Sequence, residues 1–170
     1  VGRQAVKILS DVGVDVVGAV RTGGSPSGVD VSATVNIGSL EDILPGVDFI
    51  VLCCPLTEQT RGLIGSGEFD AMKPGAVLIN IARGGVVDHA ALVEALRSGR
   101  LGGASLDATD PEPLPEGSPL WDMENVLISP HSASTVDEEN QKITDLFCEN
   151  LRRWLRNETL LNVYQPGRGY

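Results

Sequence analysis

Three side chains in this sequence have the chemistry to hold a carboxylate and move a proton. Arg83 stands in Asn80-Ile81-Ala82-Arg83-Gly84-Gly85, Glu112 in Glu112-Pro113-Leu114, and His131 in Ser129-Pro130-His131-Ser132-Ala133. A guanidinium is permanently charged and can fork onto a carboxylate through two parallel hydrogen bonds. An imidazole, with an ordinary pKa of about 6.5, suits proton transfer at neutral pH. A carboxylate beside it favours the imidazolium and keeps a proton ready to donate. Taken singly, each has a plainer reading: Arg83 as a surface arginine at a strand end, His131 as a turn residue after proline. Gly84 and Gly85 would allow a backbone turn that other residues would strain. His89, the other histidine, lies beside Asp88 near a helix start and is given no catalytic role.

These residues need elements to position them, and the chain supplies short apolar runs in front of each. Asp48 to Cys53, Ala76 to Asn80, Gly103 to Asp107 and Val126 to Ser129 read as strands. The first two are apolar on both faces, as parallel strands buried under helices must be. Pro55-Leu56-Thr57-x-x-Thr60 follows the first, the Arg83 segment the second, the Asp107 to Leu114 segment the third, and the His131 segment the fourth. Each motif therefore falls at a carboxyl end, where ligands bind in open parallel sheets. Val14 to Val20 is a further strand, followed by a loop over Thr22 to Ser27. Between the strands lie helical patterns: Arg3 to Asp11, stopped by Gly13; a short helix capped by Ser39; and a helix capped by Asp88 and ended by Gly99. The alternation predicts an α/β fold, a doubly wound parallel sheet with helices on both faces. A last helix spans about Thr135 to Arg156. Ile143, Phe147, Leu151, Trp154 and Leu155 keep helical spacing in it, which predicts an amphipathic helix packed along that side.

The opening is abrupt, because Val1-Gly2 stands directly before a helix with no strand in front. A doubly wound nucleotide fold normally runs from strand to G-x-G-x-x-G to helix. Gly2 fits the third glycine, so the chain reads as a fragment whose first strand and first two glycines precede residue 1. By itself, Gly2 is more simply a helix start.

Bulk properties narrow the field. The net charge of -10 argues against a phosphate-backbone partner, so no nucleic acid is expected. Apolar residues make up 42% of the chain, but no run approaches the roughly 18 residues of a membrane span, so no membrane is expected either. Three cysteines, Cys53, Cys54 and Cys148, give neither a disulfide framework nor a metal spacing, and buried free thiols in a cytoplasmic protein are the default. No metal site is expected.

Taken together, the four strand-end motifs resemble the D-isomer-specific 2-hydroxyacid dehydrogenase family over essentially the whole chain. The resemblance implies a Rossmann-like NAD(P)-binding domain over residues 1–158, N-terminally incomplete, and a tail over 159–170 returning to an absent substrate domain. It implies hydride transfer from NAD(P)H to a small 2-keto acid, giving a D-2-hydroxy acid. Arg83 would then hold the substrate, with Glu112 and His131 as the acid/base dyad. Asp107 would hold the nicotinamide carboxamide or ribose, although a strand-end cap is its plain reading. Cys54 and Pro55 would cover the adenine ribose, or simply pack, and Thr60 would contact cofactor or shape its turn. The amides of Val1 and Gly2 would face the pyrophosphate at the helix N-terminus. Cofactor contacts are also implied for Ile81, Ala82, Arg83, His131 and Ala133. Trp121 falls where the family builds substrate pocket and dimer contacts, but equally fits a core. The closing Gly167-Arg168-Gly169-Tyr170 resembles the glyoxylate/hydroxypyruvate reductase branch, and a homodimer is expected.

One departure bears on the cofactor. NAD-type domains end the second strand with a carboxylate for the ribose 2′-hydroxyl. Here the strand ends Val20-Arg21-Thr22, and Arg21 with Thr22 would accept a 2′-phosphate instead, so NADP(H) is preferred and NAD(H) remains usable. The competing reading is a dinucleotide-sensing corepressor-like member of the same family, against which stands the lack of a basic patch. Formate dehydrogenase, a relative with Gln at the dyad carboxylate, conflicts with Glu112.

Overall fold

The computed structural model describes residues 1–21, 31–133 and 135–166. Helix α1 spans Gly2–Asp11, strand β1 Val17–Val20 and strand β2 Ala33–Asn36. Strand β3 covers Phe49–Leu52, helix α2 Ser66–Ala71, strand β4 Ala76–Asn80 and helix α3 His89–Arg97. Strands β5, Leu101–Leu106, and β6, Val126–Ile128, lead to the final helix α4, Glu139–Leu155. All pairings are parallel. β1 pairs with β2, and β3 to β6 form one sheet in chain order, with Leu52 opposite Asn80 and Asn80 opposite Leu106. The α/β reading holds, and Ala76–Asn80 has the expected bounds.

The core lies around β4 and β5. Leu78 and Leu101 are fully covered, and Phe69, Ile64 and Leu120 close over them at 1% exposure. Each such side chain contributes about 1.5–3 kcal/mol by leaving water. Helix α3 forms as its ends dictate. Asp88 accepts the Ala91 amide at 2.9 Å, and Gly99 takes φ +73°, a left-handed stop that glycine adopts freely.

Three expectations need correction, and two elements add to them. The short element after β2 is a 3₁₀ segment, Ile37–Asp42, capped by Asn36, whose side chain accepts the Gly38 amide at 2.8 Å; Ser39 lies inside it. Strand β2 and helix α2 went unread, being four and six residues long. The cysteines are half-buried rather than buried. Helix α4 forms four residues later than expected, and its apolar side is not packed: Phe147 and Trp154 are both 66% exposed. Helical spacing sets which residues share a side, but a covering surface must come from elsewhere. The segment after α4 is tied back to it, with Asn150 holding the Leu161 amide and carbonyl at 2.8 and 3.1 Å.

Candidate active site

The strand-end segments lie side by side because the ladder continues past the strands. Ile81 N donates to Leu52 O at 3.3 Å, Asp107 N to Asn80 O at 2.9 Å and Ser129 N to Leu106 O at 3.0 Å. Parallel pairing puts every carboxyl end on one edge, so Arg83, Asp107, Glu112 and His131 converge there from three different segments.

Three of them form a line. His131 Nδ1 lies 2.6 Å from Glu112 Oε1, and His131 Nε2 lies 3.3 Å from Arg83 Nη1. A guanidinium has only donors, so a hydrogen bond between these two takes Nε2 as acceptor, with Nδ1–H facing Glu112. The His131 and Glu112 side chains are 37% and 41% exposed, so this end of the edge is open to a ligand.

Arg83 is aimed by its own segment. Asn80, buried at 1% exposure, accepts the Ala82 amide at 3.0 Å and donates to the Arg83 carbonyl at 3.1 Å. Arg83 Nη1 donates to Ala82 O at 2.7 Å. Gly84 does not occupy the left-handed region, which corrects the turn-strain expectation. The reason for glycine is space, because a Cβ there would stand 2.0 Å from both C and O of Thr109. That close approach presses the Arg83 segment against the one bearing Glu112.

Asp107 is 6% exposed. Its Oδ1 accepts from Ser129 Oγ at 2.6 Å and Ser132 N at 2.8 Å, and its Oδ2 from Ala133 N at 2.9 Å. Burial alone would push its pKa up. The Ser129 hydroxyl and the Ala133 and Ser132 amides outweigh that and hold its carboxyl below the usual carboxylate range.

The other expected residues fall at the same edge or outside it. Thr60 shapes its turn, donating to Pro55 O at 2.7 Å and accepting Thr57 N at 2.8 Å. Ile81 is half-buried and Ala82 buried beneath Arg83. Cys54 is half-buried beside the exposed Pro55, and burial above all pushes its thiol pKa up, which suits packing rather than reactivity. Val1 caps α1 without a side-chain hydrogen bond, and a Cβ on Gly2 would stand 3.5 Å from that of Cys53. An uncapped helix N-terminus thus abuts the end of β3. Arg21 is exposed at the end of β1, its carbonyl held by Asn36 Nδ2 at 3.0 Å. Thr22 and the Gly167 to Tyr170 ending lie outside the described residues. Trp121 is 51% exposed and donates to Pro115 O at 2.9 Å, so it is no core tryptophan. Asn80, Ser129 and Ser132 carried no expected role. For Asn80 and Ser129 the signal was a polar side chain at the end of an otherwise apolar run; Ser132 contributes its backbone amide. No helix among the described residues is long and apolar enough to cross a membrane.

Comparison with known proteins agrees with this fold. The model of the D-isomer specific 2-hydroxyacid dehydrogenase NAD binding domain matches residues 1–133. A D-isomer specific 2-hydroxyacid dehydrogenase from Xanthobacter autotrophicus Py2, solved with NADPH and MES, superposes with TM-score 0.88 at 42% identity, covering 98% of this chain and 67% of that one. An NADPH-dependent glyoxylate/hydroxypyruvate reductase from Sinorhizobium meliloti, solved with NADP and sulfate, gives TM-score 0.89 at 33% identity, covering 99% and 54%. The glyoxylate reductase of Korarchaeum cryptofilum is 42% identical over 124 residues, 73% of this chain and 37% of its own. The chain spans about half the length or less of the curated relatives it matches, 55% in one case and 37% in another.

Proposed function

The chain belongs to the D-isomer specific 2-hydroxyacid dehydrogenase family through its NAD-binding domain, and from that premise we propose that the whole protein reduces a small 2-keto acid to a D-2-hydroxy acid with NAD(P)H. The line from Arg83 through His131 to Glu112, at 3.3 and 2.6 Å, carries this reading. Residues 1–158 form its dinucleotide-binding domain, 159–170 lead back to a substrate domain, and two copies associate.

The residues present fit a dinucleotide. The uncapped N-terminus of α1 offers backbone donors and a positive dipole end for the pyrophosphate. Cys54 and Pro55 lie where the adenine ribose would rest, and Arg21, with Thr22 after it, offers a cation to a 2′-phosphate. Ile81, Ala82, Asp107 and Ala133 would border the nicotinamide end. The bound reduced nicotinamide supplies the hydride.

The chain's own residues do the rest. Arg83 forks onto the substrate carboxylate and polarises the adjoining carbonyl. Engaging that carboxylate draws its Nη1 away from His131, which frees Nε2 to take up a proton. His131 then donates from Nε2 to the carbonyl oxygen as the alkoxide develops, while Glu112 holds Nδ1–H and balances the imidazolium. Closure of a second domain over this open edge would exclude water. The test is turnover of glyoxylate, hydroxypyruvate, pyruvate and a phosphorylated 2-keto acid by the full-length enzyme, with the chirality of the product determined. D-configured product from prochiral, unphosphorylated pyruvate or hydroxypyruvate is expected. L-product, or oxidation of NADPH independent of keto acid, refutes the proposal.

A further inference from the structure

We propose that Asp107 is a positioning residue that holds the His131 loop in register for proton donation; this rests on the reading of His131 as the proton donor. His131 occupies the left-handed backbone region at φ +54°. A non-glycine residue does so at a cost and persists there only when its surroundings impose it. Its own amide reaches back to Ser129 O at 3.0 Å, which closes a tight turn but anchors it to nothing outside.

The outside anchor is one carboxylate. Asp107 takes the Ser129 hydroxyl at 2.6 Å, the Ser132 amide at 2.8 Å and the Ala133 amide at 2.9 Å. The residues two before, one after and two after His131 thus hang from a single side chain. These are charge-assisted bonds, roughly twice as strong as neutral ones. They sit where Asp107 is 6% exposed, so water competes little for them. Asp107 is itself fixed, because it directly follows β5 and its amide is bound to Asn80 O at 2.9 Å. The position of His131 is therefore set by the central strands. Glu112 orients the ring through Nδ1, but it lies in an exposed segment and holds no backbone of the His131 loop.

This role is compatible with a cofactor contact. A carboxylate offers about four lone-pair sites. Three are taken, which leaves one on Oδ2.

The test uses the full-length enzyme. Asp107→Asn keeps the shape but turns one acceptor into an NH₂ that meets a loop amide donor to donor. With cofactor and keto acid saturating, kcat is expected to fall about 100-fold, as for a misplacement of about 1 Å. In a His131→Ala background the same substitution is expected to change kcat less than about twofold, because a clamp then has no ring to position. Ser129→Ala removes one of the three bonds without changing charge. It is expected to give a smaller loss with the same dependence on background, and it decides the matter if Asp107→Asn folds poorly. Equal losses in both backgrounds overturn the proposal, as does a loss that disappears once cofactor saturates. Full activity in His131→Ala alone overturns the reading of His131 as donor instead, so the two failures are distinct.

Discussion

Gly84→Ala is the smallest change that separates Arg83 from its partners. The added carbon would stand 2.0 Å from C and O of Thr109 and 2.5 Å from Asp110 N, all backbone atoms with no side chain to swing aside. Ordinary contact begins near 3.4 Å, so the two segments must part by more than about an ångström. Overpacking of this kind costs roughly 1–3 kcal/mol, which is about 2–12 °C in Tm for a chain of this size. The same parting moves Arg83 relative to Glu112 and His131, and a shift of about 1 Å in a reacting constellation costs around 100-fold in rate. Gly85→Ala is the matched control. Its added carbon meets the flexible end of Arg61 at 3.2 Å and a Leu56 methyl at 3.3 Å, both of which can give. Thermal unfolding and kcat/KM of both variants in the full-length enzyme make the comparison. If Gly84→Ala and Gly85→Ala lose stability and activity alike, the close approach of the two segments does not position Arg83.

Three further outcomes follow from the site. Arg83→Lys keeps the charge but loses the planar fork, and kcat/KM for keto acids should drop by at least about tenfold, the worth of about 1.4 kcal/mol; near-normal kinetics remove Arg83 from the substrate site. Arg21→Ala should erase a preference of about ten- to a hundredfold for NADPH over NADH, since a charge-assisted hydrogen bond is worth roughly 1.5–3 kcal/mol; an unchanged ratio of kcat/KM values for the two cofactors removes the phosphate clamp. Because the folded pKa of Asp107 is depressed, its contribution to stability is present above the unfolded value near 3.9 and is lost as pH falls through the folded one. The urea midpoint of the parent should therefore fall more steeply than that of Asp107→Asn between about pH 5 and pH 2, and parallel curves would contradict the hydrogen-bonded carboxylate.

Much of the scaffold was legible because its signals are local. The apolar stretch Ala76 to Ile79, bounded by a proline-glycine turn and Asn80, reads as β4, and Asp88 and Gly99 mark α3 by the chemistry of its two ends. The four strand-end motifs were legible as a set, since parallel pairing brings carboxyl ends together whatever the loops do. What escaped depends on distance in the fold. Strand β2, with Thr34 and Asn36 in its four residues, offers no apolar run, and helix α2 is too short for a period to show, although Glu68 reaches back to the Gly65 amide at 2.9 Å as a helix-start signal. Asp107 binds residues 22 to 26 positions away, which no local pattern encodes. Gly84 looked like a turn glycine, but its reason lies in the backbone of Thr109. The apolar residues of α4 were grouped rightly on one side, yet spacing alone cannot say what covers them.

The central claim is that His131 protonates a 2-keto acid held by Arg83. It is tested most directly by keto-acid-dependent NADPH oxidation in the full-length enzyme, parent beside His131→Ala, with NADPH affinity measured for both by fluorescence. The parent is expected to turn over, and His131→Ala to lose about two to four orders of magnitude in kcat while binding NADPH as before. A parent that binds NADPH but reduces no 2-keto acid, or a His131→Ala variant with unchanged kcat, would contradict it.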